Sequence, residues 1–245
     1  AGTSAAWPRW PARSRATSPR TPSRTRSVEA VEAVAVVAVE AEAAVSRRRP
    51  RALELGDLEA VAKAREANQP ALLEMVDNGW DIIAPVPSCV LMFKQELPLL
   101  FPEDSDLGRL RQHIFDPFEY LAERNRSGLL KTDFQNRLGK ISYQVPCHLR
   151  VQNIGLKTRD ILKLVPETEV DVIERCSGHD GTYGVKEQTH DISKKIARPV
   201  VRRLEKSDSD YFVSDCPMAA VQIAEEVDDH DGGNPLGLLR HAYGI

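Results

Sequence analysis

The chain has 245 residues with 33 basic and 36 acidic side chains, a formal charge of −3, and is long enough for one large or two small domains. Its first 50 residues hold nine of the basic and four of the acidic groups, so the remaining body stands at −8, with 24 basic against 32 acidic. An acidic body argues against nucleic acid as a partner. No apolar run reaches the length of a membrane-spanning helix, and the first residues lack the apolar core of a secretory signal.

Residues 1–50 contain no Leu, Ile, Phe, Tyr, Lys, Asp, Asn, Gln, His, Met or Cys, and residues 28–45 are only Val, Ala and Glu. Three readings compete: an organelle transit peptide, a disordered arm, and translation from the wrong frame of a GC-rich gene. Regular patterning starts abruptly near Leu53, which favours the third. Residues 1–52 are therefore set apart from two further segments, 53–126 and 140–245.

In chain order, apolar spacing predicts a helix over Leu53–Asn78, broken near Pro70 and with Asp57 as an early cap. A buried strand, Asp81–Val86, leads to a helix over Cys89–Leu97, a loop over Phe101–Asp106, and helices over Leu107–Ile114 and Pro117–Arg124. Residues 127–140 are polar and irregular, as expected of a boundary. The second segment opens with a strand over Lys140–Val145 that runs to Pro146-Cys147-His148. A helix over Thr158–Val165, a strand over Glu169–Ile173 and the glycine-rich stretch Cys176–Gly184 follow. A long helix, Thr189–Lys206, then precedes the strand Tyr211–Ser214 and Cys216. Strands alternating with helices predict an α/β fold with short parallel strands, built as two pseudo-repeated halves of which the first is incomplete.

The repeat is visible in the residues. Pro70 to Cys89 and Pro199 to Cys216 each read as the end of a helix, a polar turn, a short apolar strand and a cysteine opening the next helix. Each is followed by a second helix start, Asp116-Pro117 and Asn234-Pro235, an N-cap residue before the proline favoured at the first helical position. Cys176 lies 23 residues before Pro199, yet no cysteine stands at the corresponding place before Pro70, within Ser46–Pro50.

All four cysteines matter to the functional reading. In a parallel sheet, residues just beyond the carboxyl ends of strands gather in one crevice. Cys147, Cys176 and Cys216 each follow a strand, so they are expected together, with Cys89 approaching from the other half. Glycines beside a thiolate ligand let backbone N–H groups reach sulfur, a role that suits Gly178, Gly181 and Gly184. A phosphate loop is excluded by the missing Gly-Lys-Ser/Thr ending. Zinc held by Cys147, Cys176 and Cys216 with His148 or His179 is the alternative metal, although close cysteine pairs are lacking. His148 and His179 are otherwise residues that orient the ligands. A disulfide framework, plain buried cysteines and a nucleophilic cysteine are weaker readings.

Pro146-Cys147-His148, Glu174 to Lys186 through Cys176-Ser-Gly-His-Asp-Gly-Thr-Tyr-Gly184, Ser214-Asp-Cys-Pro217 with Gln222-Ile223, and Pro87-Ser-Cys-Val-Leu-Met92 together resemble the cysteine-rich CCG domain family. That family includes the B subunit of heterodisulfide reductase and the C subunit of anaerobic glycerol-3-phosphate dehydrogenase. The resemblance runs from about Leu53 to Ile245. It implies an iron–sulfur cluster of the [4Fe–4S] type, including a non-cubane form, held by Cys147, Cys176, Cys216 and Cys89. It also implies electron transfer between a flavoprotein or ferredoxin-like partner and a quinone or disulfide acceptor, at a cytoplasmic location that includes peripheral contact with the inner face of the cell membrane. The family's double cysteine is Cys176-Ser177 here, and its closing Cys-x-x-Cys is Cys216-Pro-Met-Ala219. A non-catalytic binding or assembly role with zinc or no metal, and an inactive truncated product, are the alternatives.

Overall fold

The computed structural model describes residues 52–53, 56–181, 183–227 and 232–245. The readings of residues 1–50 lie outside them.

The first helix spans Leu58–Asp77 and is capped by Asp57, whose carboxylate accepts the Ala60 amide at 3.0 Å. It passes through Pro70 without ending, where the sequence predicts a break. Proline removes one backbone hydrogen bond there, but buried Val61 and Leu72 pin the helix to one core on either side of it. The expected strand shrinks to two residues, β1 (Ile82–Ile83), which pairs in parallel with β2 (Ile114–Phe115). From Pro87 to Leu100 the chain is helical throughout, with a π-helical stretch Met92–Glu96 between α-helical Pro87–Leu91 and Leu97–Leu100. The next helix, Ser105–His113, starts inside the expected loop because the Asp104 carboxylate accepts the Asp106 and Leu107 amides. Asp116 then opens Pro117–Arg126 with a capping box closed by Glu119. Val61, Leu72, Ile82, Val90, Leu107, Leu110 and Ile114 form this half's core.

The second half is a four-stranded parallel sheet, ordered β4-β3-β5-β6. Its strands are β3 (Gly139–Gln144), β4 (Thr168–Ile173), β5 (Tyr211–Ser214) and β6 (Gly232–Gly233). Gln144 faces Ile173 on one side and Ser214 on the other. Strand alternation sends Ile141 and Tyr143 into a core with Leu149, Ile161, Leu162 and Leu238. Edge strand β4 exposes Glu169 and Asp171, charges that discourage further strand pairing. The long helix Glu187–Leu204 carries Pro199 in its interior as the first carries Pro70. Helices Pro217–Ala224 and Pro235–Ala242 follow, the second capped by Asn234. At β6 a side chain on Gly232 would collide with the Ala220 carbonyl, so glycine lets strand and helix meet.

This is an α/β protein with parallel strands in two sheets, and the halves repeat. In each, a proline-containing helix leads to a strand, a helix opening on proline, a parallel partner strand, and a helix opening on Asp-Pro or Asn-Pro. Leu162, fully buried under the sheet, tests the core. Leu162→Ala should cost about 2–5 kcal/mol in denaturant unfolding, from lost burial and the cavity left behind; a change within error would show that the helix Lys157–Leu162 does not support the sheet.

Candidate functional site

Cys147 follows β3 and begins the short helix Cys147–Arg150, Cys176 follows β4, and Cys216 follows β5 as the N-cap of Pro217–Ala224. Three neighbouring parallel strands thus deliver three thiols to one edge of one sheet. Cys147 and Cys176 are exposed, Cys216 and Cys89 half-buried, and none is in a disulfide.

The structure places Cys147 and Cys176 near enough for each thiol to shift the ionisation of the other. The neighbouring Cys147 thiol pulls Cys176 down from 9.0 to about 6 against the effect of burial, and the Gly178 amide, donating to its Sγ at 3.3 Å, helps. Cys147 is raised, first by the neighbouring Cys176 and then by burial. The pair therefore reads as one thiolate and one thiol. Among the described residues no three His, Cys, Asp or Glu side chains stand close enough to hold a metal ion. The thiols are donors of the kind that hold an iron–sulfur group and stand at the strand ends, but the three cysteines expected together do not close on one point.

Cys89 is the third residue of the helix Pro87–Leu91 and packs against the first half's core. Proline opens that helix as it opens Pro217–Ala224, so Cys89 corresponds in position to Ala219, and Cys216 to Val86. The matching of Cys89 with Cys216 read from the sequence is therefore corrected by about one helical turn. Cys89's helix nonetheless packs on the helix of Cys147. Gln152 ties the two, its Nε2 donating to the Pro87 carbonyl at 3.1 Å and the His148 carbonyl at 2.9 Å.

The loop after Cys176 is built around its glycines. Gly178 has φ +77°, and a side chain there would strike the Ser193 carbonyl. Gly181 takes φ +58°. A side chain on Gly184 would meet the Gln222 amide and the His179 ring, so His179 faces Gly184 and Gln222. Gln222 Nε2 donates to the Ser177 carbonyl at 2.8 Å and the Ser193 hydroxyl at 2.6 Å, while Ser193 Oγ donates to the Gly178 carbonyl at 2.8 Å. His148 is half-buried beside Cys147.

Two groups escape the sequence reading. Buried Gln144 donates through Nε2 to the Arg175 carbonyl at 2.9 Å and accepts the Ser214 hydroxyl at 2.7 Å. One amide therefore holds the residue before Cys176 and the strand end before Cys216. The available signal is a polar residue on an otherwise buried strand. The second group is Asp215, buried beside Cys216, which accepts from Tyr143 Oη at 2.5 Å and Thr158 Oγ1 at 3.0 Å. Burial raises Asp215 from 3.8 to about 6 although both hydroxyls oppose the change. Burial, then the charge of Asp215, raises Asp116 from 3.8 to about 7, and burial raises the Tyr143 hydroxyl.

The cysteine-rich domain model of the CCG family matches residues 141–224. Over 148 residues the chain is 31% identical to the C subunit of anaerobic glycerol-3-phosphate dehydrogenase from Escherichia coli (strain K12) and to that from Escherichia coli O157:H7. Those stretches cover 60% of this chain and 36% of each relative, so the chain spans about a third of their length.

Two measurements check the site's electrostatics and architecture. A carboxyl raised from 3.8 to about 7 by folding favours the folded state when protonated. Its contribution is fully present below 3.8 and is lost as pH rises through about 7, at about 1.4 kcal/mol per pH unit for one proton. Asp116→Asn cannot ionise and still caps a helix. Urea titrations from about pH 4 to about pH 8 should show the wild type losing stability relative to this variant; parallel profiles would refute the assignment. Gln144→Leu leaves the Arg175 carbonyl and Ser214 hydroxyl without their partner and should cost about 1–3 kcal/mol. It should also raise protease sensitivity around Cys176, and unchanged stability and cleavage would remove the positioning role.

Proposed function

We propose that this chain, whose residues 141–224 belong to the cysteine-rich CCG family, is an iron–sulfur electron-transfer subunit of an oxidoreductase complex. The observation that carries the reading is the delivery of three thiols by adjacent parallel strands to one sheet edge. Cys147, Cys176 and Cys216 would supply ligands from the second half and Cys89 from the first. Such a group, when bound, accepts and returns single electrons without a change in the protein's covalent structure.

The chain's own residues prepare that chemistry. The Gly178 amide points a positive dipole at Cys176 Sγ, favouring thiolate. Gln144 and Gln222 fix the loops on either side, so the donors move little as charge changes. Gly178, at φ +77°, lets the backbone come within 3.3 Å of Cys176 Sγ, and Gly181 continues the turn at φ +58°. The [4Fe–4S] type, including a non-cubane arrangement, is the cluster class this reading favours.

Substrate chemistry belongs to a partner. The relatives are named as components of an anaerobic glycerol-3-phosphate dehydrogenase, which supports a flavoprotein dehydrogenase as electron donor here, with a ferredoxin-like protein as the other option. A quinone or a disulfide would be the acceptor. No helix among the described residues is long and apolar enough to cross a membrane. A cytoplasmic site with peripheral contact at the inner face of the cell membrane agrees with that and with a quinone acceptor.

Anaerobic reconstitution with ferrous iron and sulfide should give a brown protein with acid-labile sulfide and a broad visible absorption. Cys176→Ser should lose more iron than Cys89→Ser, because Cys176 belongs to the set on the intact sheet. Iron bound equally by both variants would overturn the assignment of donors, and a colourless wild type, or one that takes up zinc alone, would overturn the function.

A further inference from the structure

We propose that a cavity toward the amino-terminal end of the four-stranded sheet is a binding site for a small phosphate monoester. The site uses no cysteine and is independent of the electron-transfer reading.

The cavity lies between the last turns of the long helix Glu187–Leu204 and strands β3 and β4, and holds about 710 Å³. Small-molecule sites commonly span about 300–1,000 Å³. Two ion pairs frame it. Arg203 reaches from the helix to Asp171 on β4, with Nε at 3.1 Å and a terminal nitrogen at 2.6 Å from the carboxylate. Lys140 on β3 pairs with Asp208 in the connection before β5. These pairs occupy two of the cations on the lining. Arg202 and Lys206, also on the lining, form no ion pair among the described residues. Basic side chains near a helix end also offset the helix's negative pole, but that role requires neither a cavity nor a buried donor in its wall.

Strand β3 supplies that donor. Ile141 and Tyr143 point into the core on one face of the sheet, so Ser142 between them points to the other. Its register partner Phe212 packs there against Val200 and Leu204 of the long helix. Ser142 is part of the cavity's lining and completely buried, and its hydroxyl has no hydrogen-bond partner among the described residues. A buried hydroxyl left unpaired costs free energy, and a ligand oxygen would remove that cost. Arg202, Lys206 and Ser142 together offer a guanidinium fork, a point charge and a neutral donor from two walls. A carboxylate fills the fork with both of its oxygens, whereas the three terminal oxygens of a phosphate monoester can take all three donors. Glu169, a carboxylate on the lining with no ion pair among the described residues, would accept from an N–H or O–H on the organic part of the ligand.

The test is calorimetric titration of the full chain with O-phosphoethanolamine, inorganic phosphate and acetate at one ionic strength. The two phosphates should bind saturably at one site, the monoester more tightly, and acetate should not compete. Arg202→Gln and Lys206→Gln, both at exposed positions, should each weaken the monoester about tenfold or more, the expected loss of a charge-assisted hydrogen bond. Glu169→Gln should narrow the gap between monoester and inorganic phosphate. Ser142→Ala should weaken binding while denaturant stability stays the same or rises, because an unpaired hydroxyl adds nothing to the fold; a serine needed only for structure would give the reverse. No saturable binding, equal affinity in wild type and Arg202→Gln, or acetate binding as well as phosphate would overturn the proposal. So would sedimentation with vesicles of phosphatidylcholine and phosphatidic acid that is lost in Arg202→Gln, since it would assign the anion to a lipid headgroup. Iron content is a separate readout that Arg202→Gln should leave unchanged.

Discussion

Strand β3 pairs in parallel on both sides, and the Gln144 side chain at its end spans the same three strands that its backbone joins. The backbone ladder fixes where the neighbouring strands stop. The amide then holds both flanks, the Arg175 carbonyl two residues beyond β4 and the hydroxyl of Ser214, the last residue of β5. Ser214 Oγ in turn accepts the Cys216 amide at 3.3 Å. A buried amide left unpaired is costly, so this side chain specifies one arrangement of the strand ends. Gln222, on the helix that Cys216 caps, repeats the device by holding the loop that follows Cys176. The thiol-bearing edge is thereby locked from two directions by side chains that are not themselves donors.

The two halves share a plan and differ in detail at the cysteines. Because proline favours the first helical position, Pro87 and Pro217 mark equivalent helix starts. Measured from them, Cys216 precedes its helix and Cys89 lies in the first turn of its own. Across the repeat each cysteine falls where the other half has an apolar residue, Val86 against Cys216 and Ala219 against Cys89. Cys89 consequently packs against the core of its own half, and its link to the second half runs through its helix and Gln152. That polar link crosses between the segments at the level of Cys147.

Much of this is legible in the sequence. The alternation in Ile141-Ser-Tyr-Gln-Val145, the proline helix starts and the Asp116 and Asn234 caps are local signals, and local signals survive folding. Strands β1, β2 and β6 are two residues long, too short to show alternation, so two of them leave no signal and the third reads as longer than it is. The helix through Pro70 continues because tertiary burial outweighs a local propensity. The nearness of Cys147 to Cys176 is foreshadowed by their places after adjacent strands. What Gln144 and Asp215 do is not, since a polar residue's partners lie about 30 to 70 positions away and only register brings them within reach.

The seam between the halves is apolar where Phe118 joins the second half's core and polar where two carboxyls lie buried. Asp116 caps a first-half helix while Asp215 lies in the second half, and both are buried and raised toward neutrality. Two ionised carboxylates in such a place repel, and removing each from water costs further free energy. Hydrogen bonds offset part of this: Tyr143 and Thr158 donate to Asp215, and the Phe118 and Glu119 amides donate to Asp116. Lys94 adds an ion pair at 2.6 Å to Glu119, the other member of the Asp116 capping box. The carboxylates titrate as an interacting set, so their protons belong to the set as a whole. A raised pair of this kind takes up a proton as pH falls toward neutrality and relieves the repulsion. The seam beside Cys216 therefore changes charge as pH passes through neutrality.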